Sequence, residues 1–276
     1  MAGEDKEKVE AAAKAEAATG AKPRRRLRLR RRTRPILSWA PPLIRDEFPD
    51  PREADADGLV GLGGNFSPEM LLKAYAKGIF PWPSEEIDLI WFSPDPRMLL
   101  RPNEVHKSRN LRRKLRRGEL KVTFDQAFDQ VIEACGRVQG RDKGGTWIVT
   151  ELQQSFRDLH RQGLAHSVEV WREDKLVGGL YGLSLGAMFC GESMFHLEDE
   201  ASRIAFVALA EKLAEWDFLF LDCQVHSEHL ARLGAREWPR EDFLAELARA
   251  LELPTRRGRW SQAIDTECHV DGIGGT

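Results

Sequence analysis

Phe218-Leu219-Phe220-Leu221-Asp222-Cys223-Gln224 is the stretch on which the fold turns. A short apolar run, partly aromatic and bounded by polar residues, has the length and composition of a buried strand. Asp222 and Gln224 stand two apart where the run stops being apolar, so an extended chain puts both on one face. An acidic acceptor beside an amide at the end of a core strand suits the holding of a substrate amine or carbonyl. The plainer possibility is a turn cap next to a solvated amide.

Upstream of that strand the periodicity is two. His166-Ser167-Val168-Glu169-Val170-Trp171 alternates, Arg172-Glu173-Asp174-Lys175 makes a hairpin turn, and Leu176 to Leu183 returns. A third strand runs through Ala187-Met188-Phe189-Cys190-Gly191-Glu192-Ser193-Met194-Phe195. Glu192 is a carboxylate among apolar neighbours and must be ion-paired or near water, which marks a buried pair or a site. A helix from Ser202 carries Phe206, Leu209, Leu213 and Trp216 on one side. After the opening strand come a helix from His226 to Leu233 and a last one bearing Phe243, Leu244, Leu247 and Leu251.

Before the hairpin, Ser67-Pro68-Glu69 opens a helix that Gly78 stops. The prolines of Gly78-Ile79-Phe80-Pro81-Trp82-Pro83 and Trp91-Phe92-Ser93-Pro94-Asp95-Pro96-Arg97 predict turned or extended loops, not central strands. Their aromatics either glue two domains or stack on a base. Thr123 with Gln126, and Thr150 with Gln153, have the spacing of capping boxes. The helices they open bury Phe124, Phe128, Val131 and Cys135, then Leu152, Phe156 and Leu159.

With 276 residues, 31% charged and 42% hydrophobic, the chain suits a globular protein with an ample core. A net charge of −2 means that any nucleic-acid surface must come from local segregation of basic residues. Arg24 to Arg34 is one such block, in a low-complexity segment, residues 1–35, that predicts disorder; it reads as a polyanion-seeking arm or a solvated tail. Arg109, Arg113 and Arg117 form another, stacked every four residues beside Lys107, Arg112, Lys114 and Arg116. Such a face repels itself unless an anion neutralises it. Cys135, Cys190, Cys223 and Cys268 follow no metal spacing and predict free thiols in a reducing compartment, the cytoplasm. Cys190 and Cys223 read as core residues, and His226 with His229 as helix surface. No run is long enough to span a bilayer, and no signal peptide leads the chain.

Hairpin, helix, strand and a helix ending in Leu233-Gly234-Ala235 follow the order of the GNAT-type N-acyltransferase fold. The glycine-rich acyl-CoA loop is missing; Leu197-Glu198-Asp199-Glu200-Ala201 stands in its place. Gly78 to Trp82, Trp91 to Arg97, Gly145-Thr146-Trp147, Ala165 to Trp171, Leu176 to Gly182, Phe189 to Phe195 and Asp222-Cys223-Gln224 together resemble the leucyl/phenylalanyl-tRNA–protein transferase family, in order, over about Gly58 to Pro239.

The resemblance implies an α+β fold. A small N-terminal domain (36–97) packs on a GNAT-like domain (98–253) with a mixed, mostly antiparallel sheet flanked by helices, followed by a tail (254–276). It implies an aminoacyltransferase moving Leu or Phe, and Met less well, from aminoacyl-tRNA to proteins beginning with Arg or Lys. The products are marked for N-end rule degradation. No metal or organic cofactor and no membrane is implied, and a monomer is expected. Gln224 would hold the aminoacyl carbonyl or amine, while Asp222 orients Gln224 and draws the proton, or acts chiefly as an orienter. Glu192 would hold an amino group. Phe189, Met194 and Leu209 would line the apolar side-chain pocket. Trp82 and Trp147 would stack on the terminal adenosine, and Arg109, Arg113 and Arg117 would hold the RNA backbone. Rival readings are an acyl-CoA N-acetyltransferase and a non-catalytic RNA-binding protein.

Overall fold

The computed structural model describes residues 42–82, 89–139 and 147–263. A four-stranded sheet comes first, built from β1 (Leu43–Ile44), β2 (Leu59–Gly63), β3 (Phe80–Trp82) and β4 (Ile90–Phe92) in the order β1-β2-β4-β3. The proline-rich stretches thus form short strands where loops were expected, and Trp91-Phe92 falls in β4, an inner strand against the expectation of none, because its three residues include no proline. Pro81 is tolerated because β3 is an edge, where a missing N–H costs no ladder bond. Helix α1 (Pro68–Ala76) starts as its sequence dictates: the Ser67 side chain accepts the Met70 N–H, and Pro68 fills the first turn.

The second sheet has seven strands, order β11-β5-β10-β9-β8-β7-β6. They are β5 (Arg97–Leu100), β6 (Lys121–Phe124), β7 (Ala165–Arg172), β8 (Lys175–Leu185), β9 (Met188–His196), β10 (Phe220–Asp222) and β11 (Arg236–Trp238). Only β9 and β10 run parallel, and the other ladders are antiparallel. Helices α3 (Phe128–Gln139) and α4 (Trp147–Arg161) cover one face, and α5 (Ala201–Glu215) covers the other. Short α6 (Glu228–Ala231) and α7 (Arg240–Leu251) follow β10, and basic α2 (Arg109–Arg116) follows β5. The mixed, mostly antiparallel sheet and its flanking helices match the expected α+β class. Both sheets fall in one compact unit, 41–276.

Alternation sorts the core into two layers. Val131, Ile132, Cys135, Phe156 and Leu159 pack on one face with Phe220, Met188 and Cys190; Ile204, Ala205, Leu209 and Leu213 pack on the other with Leu221 and Phe189. Gly178 permits the close seat of α5, since a Cβ there would stand 2.5 Å from that of Ala201.

Three local readings change. Thr123 lies inside β6 and gives its hydroxyl to Glu169, so it caps nothing. Phe124 therefore points into the α5 layer rather than along a helix. Thr150 is within α4, which already begins at Trp147. The expected helix from His226 shrinks to α6, because Ser227 donates its N–H to the Met98 sulfur and Gly234 ends the turn at φ 104°.

Candidate active site

β9 and β10 pair only from Met188 to Cys190 and Phe220 to Asp222. They then separate, because the next residues of the second strand turn to β5: the Cys223 N–H donates to the Met98 carbonyl, and the Met98 N–H to the Gln224 carbonyl. On β9 a bulge falls at the same level. Gly191 faces Gly182 and Ser193 faces Tyr181, which leaves Glu192 as the extra residue. The fork and the bulge together gather five polar side chains.

Asp222 is 2% exposed and held by both oxygens. Arg97 Nε donates to Oδ1 at 2.8 Å and Nη2 to Oδ2 at 2.6 Å, a two-pronged guanidinium–carboxylate pair. The Gln224 backbone N–H also donates to Oδ1, at 2.9 Å, with Gln224 in the left-handed region at φ 63°. The amide Nε2 of Gln224 then donates to Glu192 Oε1 at 3.0 Å, and the Tyr75 hydroxyl donates to the same oxygen at 2.7 Å. The Cys190 thiol sits between the two acids, 3.5 Å from Asp222 and 3.7 Å from Glu192. Among the described residues Glu192 Oε2 has no hydrogen-bond partner, and the residue is half-buried.

Electrostatics differ along the cluster. Burial pushes the Glu192 carboxyl up to about 7, against the lowering effect of the Tyr75 hydroxyl and helped by the charge of Asp222. Burial likewise raises the Tyr75 phenol and the Cys190 thiol well above their usual ranges, so both stay protonated and neither is a nucleophile. Among the described residues no three His, Cys, Asp or Glu side chains meet in a way that could hold a metal ion.

Asp222, Gln224 and Glu192 are thus brought together. Asp222 meets Gln224 through the backbone N–H of that residue, and both its oxygens are engaged by Arg97. Phe189 and Leu209 lie fully buried on the α5 face, with half-buried Met194 packed against them, across the sheet from the polar cluster. The bulge is what turns Met194 to that side, since strict alternation from Cys190 would put it with the acids. Trp82 is 38% exposed beside Phe80 and Phe92, whereas Trp91 is buried glue on Phe48. The Trp147 side chain and the arginine-rich arm lie outside the described residues. On α2, Leu111 is buried, Leu115 half-buried, and Arg109 and Arg113, with Arg117 at the helix's C-terminal cap, are exposed. Arg97 and Tyr75 were missed. Each reaches a partner more than 100 positions away, and the only sequence signal was a charged residue opening an apolar run, Arg97-Met98-Leu99-Leu100.

A sheet forked between two parallel strands, with α5 connecting them and an amide–acid cluster in the fork, defines a GNAT-like acyl-transfer protein. Comparison with known sequences makes this particular. The family described as "Leucyl/phenylalanyl-tRNA protein transferase" matches residues 99–248, and its N-terminal domain matches 64–95. Proteins named leucyl/phenylalanyl-tRNA–protein transferase are 51% identical over 224 residues in Myxococcus xanthus (80% of this chain, 96% of that one) and 54% over 213 in Anaeromyxobacter sp. strain Fw109-5 (77% and 91%). One from Desulfatibacillum aliphaticivorans is 51% identical over 214 (78% and 92%). The chain belongs to this family.

Proposed function

We propose that the protein transfers Leu or Phe, and Met less well, from aminoacyl-tRNA to the N-terminal α-amine of proteins beginning with Arg or Lys. Such products enter N-end rule degradation in the cytoplasm, where charged tRNA is available. The carrying observation is the cluster at the fork: a two-oxygen ion pair that fixes an amide, and an amide that fixes a carboxyl whose other oxygen is unspent among the described residues.

The reaction is aminolysis of an ester. The bond between the aminoacyl carbonyl and the ribose oxygen breaks, a peptide bond forms, and the attacking amine loses a proton. The ester is already activated, so positioning, proton removal and cover for the oxyanion suffice. Glu192 is fitted to hold the amine and draw its proton, because a carboxyl pushed up to about 7 is a base matched to neutral pH. Gln224 supplies the amide that steers the reacting groups. Asp222 is the orienter, since a carboxylate gripped by Arg97 has little to offer an ammonium.

Phe189, Met194 and Leu209 would receive the Leu or Phe side chain beneath the fork, from the α5 side. Methylene-scale differences in such a pocket are worth only about 1–3 kcal/mol, so discrimination is modest. Trp82 offers an exposed ring for the terminal adenosine, a stack worth roughly 1–3 kcal/mol, with Trp147 proposed as its partner. The exposed arginines of α2 would take the RNA backbone.

The acyl-CoA alternative is disfavoured by the start of α5. Glu198, Asp199 and Glu200 crowd the helix end that would have to meet a pyrophosphate, and anions repel there.

Radiolabelled Leu-tRNA incubated with purified protein tests the proposal, using a reporter beginning with Arg beside one beginning with Met. Label on the first alone supports it; label on neither ends it.

A further inference from the structure

We infer that Arg97 is a positioning residue for transfer, acting through Asp222 and Gln224 on the carboxylate of Glu192. The inference rests on the function proposed above.

Arg97 opens β5 at 1% exposure, and its charge is met from every side. Beyond the two bonds to Asp222, Nη1 donates to the Gly78 carbonyl at 3.1 Å. The guanidinium lies between the rings of Phe80 and Phe243, 4.6 Å from each centroid. Stability alone does not explain such a pair, because apolar residues of similar volume commonly serve a core as well or better. What hangs from the pair does explain it. Asp222 Oδ1, steadied by Arg97, holds the Gln224 N–H and so keeps that residue at φ 63°, a conformation a non-glycine residue seldom adopts unaided. That turn aims Nε2 at Glu192 Oε1. Three contacts therefore run from the guanidinium to the reacting carboxyl, all on one face of three neighbouring strands.

Arg101, four residues on, provides the contrast. It pairs with Glu246 and lies over Trp238, and neither partner belongs to the chain of contacts that ends at Glu192. Tyr75 from α1, Tyr181 from β8, Cys190 on its own strand, Asp222 at the end of β10 and Gln224 just beyond it all face Glu192, with Arg97 behind them. Within that shell Arg97 lowers the proton affinity of Glu192 and Asp222 raises it.

The test compares wild type, Arg97→Lys and Arg97→Met, each checked for folding by thermal melting. kcat and KM for Leu-tRNA are measured from pH 5.5 to 9, a range spanning roughly two units about neutrality. Lysine keeps the charge but loses the two-pronged grip, so kcat should fall about tenfold to a hundredfold with KM for the RNA nearly unchanged. Methionine removes the charge and leaves Asp222 uncompensated, so the acid limb of the rate profile should move to higher pH. If Arg97→Met does not fold, the lysine variant decides. Wild-type kcat in folded Arg97→Lys, or an unmoved limb in folded Arg97→Met, would overturn the inference. Absence of transfer by the wild type would instead defeat the proposed function.

Discussion

The seven-stranded sheet buries two clusters of acids, and only one of them is left with something to do. Toward the β6 edge, Glu169 receives the hydroxyls of Ser167 at 2.5 Å and Thr123 at 2.6 Å, one on each oxygen. Asp125 receives the ring Nδ1 of His166 and the backbone N–H groups of Ser167 and Trp260. Trp260 closes that cluster, stacked 3.8 Å from the His166 ring. At the fork, Asp222 is as well satisfied, but Glu192 is half-buried and its Oε2 takes no hydrogen bond among the described residues. Burial raises both Glu169 and Glu192 above the usual carboxyl range. A perturbed acid is therefore no mark of a site by itself.

The contrast breaks most visibly at the two glutamates. Glu192→Gln should lower kcat about 10²- to 10⁴-fold, the range for loss of a general base, and abolish a limb rising through about pH 7. Glu169→Gln should lower the melting temperature and leave kcat per folded molecule intact. If the two variants exchange phenotypes in a single-turnover assay with melting curves alongside, the assignment of roles is wrong. The sign for stability is opposite to that for activity. Glu192 is raised from 4.5 to about 7 by folding, so its protonated form stabilises the fold below about pH 4.5 and that contribution is lost as pH rises through 7.

Removing the lid of the closed cluster comes next. Trp260→Ala should cost about 3–5 kcal/mol by urea unfolding, as for other buried tryptophans. Its effect on kcat should be smaller than that on stability. His166 should then gain water. In the intact protein, burial holds its imidazole below 6.5 despite Asp125, so it contributes stability above that pH which is lost as pH falls.

Salt sharpens the outer part of the comparison. Exchanging Arg109, Arg113 and Arg117 together for alanine should flatten the dependence of RNA binding on salt by a slope of about 2.1–2.7, or some 20- to 40-fold between 50 and 200 mM. Filter binding across that range measures it. An unchanged slope removes α2 from the RNA contact. Smallest is Tyr75→Phe, which deletes one donor to Glu192 at a cost of about 1 kcal/mol, near fivefold in rate. It should also move the acid limb upward, since the hydroxyl favours the charged carboxylate.

Much of this was readable from local pattern. The β7–β8–β9 meander shows period two, α5 shows its apolar face, and Phe218 to Asp222 reads as a core strand; in each case the cause is local and repeats within a few residues. The errors have a common origin. Thr123-Phe124-Asp125-Gln126 matches a capping box, yet the Thr123 hydroxyl is drawn to Glu169, 46 positions later. The proline-bearing stretches read as loops, and edge placement made one of them a strand. Arg97 was not read as the partner of Asp222 because nothing near either in sequence announces the other. Side-chain pairs that close across more than 100 residues leave no periodic trace.

Gly78 ends α1 at φ 74°, and a Cβ there would come within 2.7 Å of Phe243 on α7. Family similarity falls in two pieces, 64–95 and 99–248, which invites cutting the larger one out as a portable module. The excised fragment would lose Arg97 itself, with the Gly78 carbonyl and the Phe80 ring that hold it, leaving Asp222 a buried carboxylate with no cation to meet it. It would also lose the phenol of Tyr75. Protein engineers should treat the two pieces as one appliance: neither half can be grafted, swapped or shipped without the other.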